Sequence, residues 1–379
     1  MIRVRSDMTL FLCIVALVGS GLIILYSASS VVAQLKYGSN FYFIARQAGW
    51  AAAGFFCMMV IKSRDYRNLR TPTWVFSAIG IVVFLLIVAV FVDAKSHRWL
   101  RIAGVSLLQP SEFAKPALAI FLAYFVTLRA ESINRTRTVI TAALAIGVPA
   151  ITVAIGDLGT AVVLVLTAAV VFFVAGLQRK FFFGAAGLSV VLIIIAVVAK
   201  PYRVQRIIGY LDPDYTKLEM LGLKENVKKY AESSNSTRDP SYQVRQSKIA
   251  VGSGGVLGAG PGRGRQKLFF LPEAHTDFIY AVACEELGLW GGGGLLIAFM
   301  IICWQGFRLY WIALDDFGKN LALGITACIV IQALINMSVV LDIAPTKGIP
   351  LPMISYGGSS LLSTLISMGL LLSVSDRAG

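Results

Sequence analysis

Ten apolar runs divide this chain, each long enough to cross a bilayer as a helix. They lie near residues 8–32, 43–61, 73–92, 110–128, 139–155, 158–175, 182–199, 276–305, 320–341 and 352–374. A helix needs about 20 apolar residues to span hydrocarbon, and in lipid every backbone polar group must be satisfied within the segment, so such runs form helices. With 57% hydrophobic and 14% charged residues in 379, a water-soluble core does not account for the pattern. The expected fold class is an all-α polytopic membrane protein of about ten transmembrane helices, one domain over residues 1–379. Arg3, Arg5 and Tyr26-Ser27-Ala28-Ser29 give the first run some features of a cleaved signal, but its length favours an uncleaved anchor.

Charge sets the expected orientation. With ten spans both termini share a side, whose short loops carry Arg3, Arg5, Lys62, Arg64, Arg67, Arg70, Arg129, Arg135, Arg137, Arg179, Lys180, Arg308, Lys319 and Arg377. The opposite short loops carry Lys36, Lys95, Arg98, Arg101 and Lys347. The positive-inside rule then places both ends in the cytoplasm and the long 200–275 connection outside. Much of the net charge of +14 sits beside these span ends and is scattered, which argues against nucleic acid as a partner. All five cysteines fall inside apolar runs, so neither a disulfide framework nor a zinc site is indicated.

Polar groups at the outer ends of the spans are the candidates for chemistry. Asp277, in Leu271-Pro272-Glu273-Ala274-His275-Thr276-Asp277-Phe278, stands at the mouth of an apolar run, where a carboxylate without partner or water costs about 2.5–3.5 kcal/mol. Within the long connection, residues 217–238 are polar and read as flexible or interfacial structure. Residues 252–264 hold seven glycines, with Arg263, Arg265 and Lys267 alongside. They leave open a phosphate cradle or a plain glycine-rich turn, because no P-loop order is present.

Glu112 and Lys115 share a face of span four at i,i+3, as a salt bridge or as part of a pathway. Asp157 suits a cap at the start of span six. The prolines of Pro345-Thr346-Lys347-Gly348-Ile349-Pro350-Leu351-Pro352 stiffen an irregular return into the membrane, which points Lys347 into a wet cavity. Gly291 to Gly294 read as a close-packing face in span eight.

These residues also carry a resemblance. Arg98-Trp99, Gln109-Pro110-Ser111-Glu112 with Lys115, Asp157-Leu158-Gly159-Thr160, Gln246-Ser247, Gly252-Ser253-Gly254-Gly255, the 271–278 stretch, Glu285-Glu286-Leu287-Gly288 and the segment from Pro345 to Ser360 together resemble the SEDS family (shape, elongation, division and sporulation) over nearly the whole chain. Gln266-Lys267 and Asn336-Met337 are more similar to its FtsW branch than to its RodA branch. Ile155-Gly156, where a polar residue and proline are common, Asp342, where glycine is usual, and the 217–238 insertion depart from the pattern.

The resemblance implies a peptidoglycan glycosyltransferase in the bacterial cytoplasmic membrane, joining lipid II to a nascent glycan strand for division or cell shape. Asp277 is then the general base, and Arg98, Glu112, Lys115, Lys267, Glu273, His275, Lys347 and Ser355 are substrate-binding candidates. His275 is equally a structural hydrogen-bonding group. Fixed cations, or a divalent ion (Mg or Mn), stabilise the diphosphate leaving group, and no organic cofactor is implied. The implied partners are a class B penicillin-binding protein, other division or elongation proteins and membrane lipid. A lipid II flippase and a non-catalytic division scaffold are the alternatives.

Overall fold

The computed structural model describes residues 3–93, 98–102, 105–211, 240–268 and 270–378. Lys95 and the 217–238 segment, singled out above, lie outside them. The described residues form α1 (Arg3–Tyr37), α2 (Tyr42–Ser63), α3 (Pro72–Val92), β1 (Leu100–Ile102), β2 (Val105–Leu108), α4 (Pro110–Arg129), α5 (Thr136–Gly156), α6 (Leu158–Val174), α7 (Arg179–Val198), α8 (Pro201–Leu211), α9 (Pro240–Gly254), α10 (Ile279–Ile312), α11 (Asp316–Val340) and α12 (Gly358–Asp376).

Among the described residues nine helices are long and apolar enough to cross a membrane. The remaining expected span is α6, apolar but only 17 residues long, or about 25 Å at 1.5 Å per residue. The fold is thus the expected polytopic helical one, with differences in detail. A small antiparallel hairpin, Leu100 opposite Leu108, joins α3 to α4. The 200–275 connection is helical where it leaves α7 and again over α9, rather than a loop throughout. The last span starts at Gly358, because the proline-bearing segment before it stays irregular.

Position in the bundle follows side-chain chemistry. α4, α11 and α12 bury residues along their whole length, whereas α7 buries none. Phe76, Phe84 and Phe91 of α3 point outward, as lipid-facing residues do. Glycines allow α2 and α12 to touch: a Cβ on Gly54 would stand 2.5 Å from Leu365, and one on Gly369 2.8 Å from the Met58 carbonyl.

α10 is discontinuous. Gly288 has φ 63° and ψ −156°, outside the helical region and close to one that only glycine readily adopts. The carbonyls of Glu285 and Glu286 receive hydrogen bonds from Ala259 N (2.9 Å) and Gly260 N (3.0 Å) instead, and Leu289 N donates to Gly255 O (2.9 Å). The glycine-rich segment is thereby docked into the break. A Cβ on Gly258 would meet Glu286 O at 2.2 Å, and one on Gly288 would meet Gly258 N at 2.4 Å. Of the expected close-packing run, Gly291 and Gly292 are crowded by neighbours, while Gly293 and Gly294 are not.

Candidate active site

The start of α10, the end of α11 and the start of α12 meet at one end of the bundle, where two irregular segments, 271–278 and 343–357, lie side by side. Their pairing is explicit. Tyr356 N donates to His275 O (3.0 Å), and Ser355 Oγ donates to Thr276 O (2.6 Å) while accepting from Leu351 N (2.8 Å). From α11, one Asn336 side-chain amide donates to both Asp277 O (2.8 Å) and Ile349 O (2.7 Å). Gln332, one turn earlier, donates to Pro350 O (2.8 Å). Proline-rich backbone lacking its own ladder is thus held by amide side chains from a helix.

Asp277 lies two residues before α10, with its carboxylate against Gly348. Burial first, and then the carboxylate of Glu273, push its carboxyl up to about 7, while Arg206 and Arg98 hold it back. Glu273 itself adopts φ 56°, a left-handed conformation uncommon for a residue with a side chain. Thr276 Oγ1 donates to its carbonyl at 3.2 Å and its carboxylate at 3.3 Å.

Beside Gly348 opens a cleft walled by Arg98, Asp157, Tyr202, Arg203, Arg206 and Lys347 together with apolar side chains. Its lining holds four cations and one carboxylate. Burial lowers the Lys347 ammonium, with Asp157 opposing, and burial likewise lowers the Arg206 guanidinium. An anion entering the cleft relieves both.

The last carbonyls of α5 and α7 hold Arg98, Arg203 and Lys200. Arg98 Nε donates to Gly156 O, Arg203 donates to Ala154 O at 2.7 Å and Ala196 O at 2.8 Å, and Lys200 donates to Ile155 O at 2.8 Å. Helix C-termini leave such carbonyls unpaired and carry partial negative charge. Asp157 caps α6, accepting from Thr160 N (3.1 Å) and Thr160 Oγ1 (2.8 Å), and it also accepts from Gln109 Nε2 (3.2 Å).

Asp277, Glu273, Arg98, Lys347, His275 and Ser355 therefore assemble at one end, though not in one role. His275 packs between Phe43, 4.9 Å away, and Tyr356, 5.9 Å away, and burial lowers its imidazole so that it is neutral near pH 7. Ser355 is committed to the backbone. Glu112 and Lys115 stand apart as a buried pair at 2.7 Å, with Lys115 also donating to Gln332 at 2.6 Å. Lys267 is elsewhere too, bound to Glu286 (2.6 Å), Ser27 (2.7 Å) and Gly262 O (2.9 Å). The anion in the glycine-rich cradle is the chain's own: Glu286 accepts from Gly262 N, and Glu285 from Arg265 N and Gln266 N.

Among the described residues no three His, Cys, Asp or Glu side chains converge as a metal cage. The cations at the start of α8 are a signal available in the sequence, where Lys200, Arg203 and Arg206 recur every third residue, and Asn336 carries none beyond its branch likeness.

Comparison with known proteins agrees with this geometry. The family model for FtsW, RodA and SpoVE, described as a cell cycle protein, matches residues 8–378. The probable peptidoglycan glycosyltransferase FtsW of Geobacter metallireducens is 38% identical over 387 residues, covering 98% of this chain and 95% of that protein. Stage V sporulation protein E of Bacillus subtilis is 38% identical over 386 residues, covering 98% of both. A chain from a peptidoglycan synthase complex that coordinates polymerization and crosslinking superposes with a TM-score of 0.74 at 25% identity, over 97% of this chain and 96% of that one. The rod shape determining protein RodA of Thermus thermophilus shares the fold at TM-score 0.66 and 23% identity, over 98% and 97% of the two chains. An intramembrane bundle of this topology, with sequence matches along nearly its whole length, places the chain in the FtsW/RodA/SpoVE family.

Proposed function

We propose that this protein is a peptidoglycan glycosyltransferase that polymerises lipid II at the outer face of the bacterial cytoplasmic membrane. The observation that carries the reading is the Asp277 carboxylate, raised into the neutral range beside a cleft walled by four cations and Asp157. A sugar hydroxyl is a weak nucleophile and needs a base within reach whose pKa lies near the working pH. A diphosphate leaving group needs fixed positive charge where negative charge develops.

In the proposed reaction the 4-hydroxyl of the incoming lipid II attacks the anomeric carbon of the lipid-linked glycan. Its proton passes to Asp277, the bond from that carbon to the diphosphate oxygen breaks, and undecaprenyl diphosphate leaves with the electron pair. Arg98, Arg206 and Lys347 receive the diphosphate, and Glu273 keeps Asp277 basic. Both termini face the cytoplasm on the positive-inside argument. The lipid chains reach the cleft sideways between the helices.

The relatives named FtsW and the synthase-complex neighbour support this reading. The same comparisons support a division or cell-shape setting, and a class B penicillin-binding protein is the proposed crosslinking partner. The test is labelled lipid II supplied to the purified protein with that partner in liposomes. Glycan strands should form, and their synthesis should fall to a small residual rate in Asp277→Asn, with transbilayer lipid movement unchanged. Lipid movement that depends on Asp277, without strand formation, would replace the polymerase by a flippase.

A further inference from the structure

Asn336 is 2% exposed, in the last turns of α11, and its amide spends both N–H groups on carbonyls of different segments, Asp277 O and Ile349 O. Its own Oδ1 has no hydrogen-bond partner. Leaving a buried acceptor unmade is unfavourable, but turning the amide over would set oxygen against two carbonyl oxygens, so the side chain is fixed in this orientation. Ile349 is the neighbour of Gly348, against which the Asp277 carboxylate lies. The span from Asp277 to Gly348 is therefore set by one amide. Gln332, one turn back on the same face, extends the clamp to Pro350, and its own carbonyl oxygen is anchored by Lys115 Nζ at 2.6 Å.

The geometry points to Asn336 as a positioning residue, an amide clamp that holds the Asp277 segment against Gly348 and the cation-bearing loop. Gln332, tied to the Glu112–Lys115 pair, is its second jaw. This assignment rests on the glycosyl-transfer reading above. It gives the buried ion pair of α4 a role without substrate contact: Lys115 orders Gln332, and Gln332 orders the loop.

The test compares Asn336→Leu and Gln332→Leu with wild type in lipid II polymerisation by the full-length protein with its partner, after thermal melting has shown which variants fold. Asn336→Leu is expected to lower kcat about 100-fold, as a 1 Å misplacement does, with KM within about threefold. Gln332→Leu should lower kcat about tenfold, the Asp277 jaw being intact. Groups acting as a unit are not additive, so Asn336→Leu in an Asp277→Asn background should cost less than about threefold more. Asn320→Leu removes a buried amide at the other end of α11 and should leave kcat unchanged.

A folded Asn336→Leu within threefold of the wild-type kcat, losses confined to KM, full additivity with Asp277→Asn, or an equal loss in Asn320→Leu would each overturn the assignment. If Asn336→Leu does not fold, Gln332→Leu decides in the same way. Absence of strands from wild type would instead remove the glycosyl-transfer reading. Strands that depend on Asp277 but are indifferent to both amides would remove the clamp alone.

Discussion

The Oδ2 oxygen of Asp277 lies directly over the α-carbon of Gly348: a β-carbon there would stand 2.7 Å from it. Glycine is required by this approach and not by a left-handed backbone. Gly348→Ala would push the carboxylate away or displace the loop that carries Lys347. With the rest of the fold undisturbed, kcat for strand synthesis is expected to fall about 100-fold, while the melting temperature in detergent changes little. An alanine variant with wild-type turnover would show that the carboxylate acts from another position.

The raised Asp277 carboxyl gives two pH dependences with one origin. As a base it must be ionised, so the rate should fall as pH drops through about 7. For stability, a carboxyl raised from 3.8 to about 7 is protonated more readily in the folded chain than in the unfolded one. Its contribution is full at pH below 3.8 and is lost as pH rises through about 7. Asp277→Asn should therefore melt progressively higher than wild type over that interval, with a constant difference above it. Melting curves across pH check the second statement without any activity assay.

The spans were legible because apolar runs of this length have a single structural outcome in lipid, and Asp277 because a carboxylate at a helix mouth is costly. What could not be read was set by distant partners. The break at Gly288 depends on Gly258 and on the carbonyl of Val256, about thirty residues away, whereas the conspicuous run Gly291 to Gly294 continues the helix. Lys267 and the glycine-rich segment have the composition of an anion cradle, but α10 fills that cradle with Glu285 and Glu286. Glu112 and Lys115 share a face as their spacing requires, and only the fold reveals that Gln332 of α11 accepts from Lys115. Lys200, Arg203 and Arg206 show periodicity in sequence, but the targets of Lys200 and Arg203, carbonyls at the end of α5, do not.

Lys267 is a test of that filled cradle. Removing it leaves Glu286 buried without its cation, and breaking such a pair costs about 3–5 kcal/mol, so Lys267→Met should lower the melting temperature strongly. Lys267→Met with Glu286→Gln removes both charges and should recover most of the stability. A residue acting within the loop predicts that the double variant also recovers strand synthesis to within about tenfold, since Ser27 and Gly262 N can still hydrogen-bond a neutral amide. A double variant that is stable but inactive would return Lys267 to the substrate.

Arg206 and Glu273 act on Asp277 in opposite senses, and each can be removed alone. Glu273 raises the carboxyl by like-charge repulsion, and Arg206 lowers it by attraction. Glu273→Gln should shift the acid limb of the rate profile to lower pH, because the carboxylate then ionises more easily. Arg206→Gln should shift it to higher pH and, since the same guanidinium lines the cleft, should also weaken substrate binding. The pair separates electrostatic tuning from binding: Glu273→Gln moves the limb with KM unchanged, whereas Arg206→Gln moves both. Limbs shifting in the same direction in the two variants would mean that the titrating group is not Asp277.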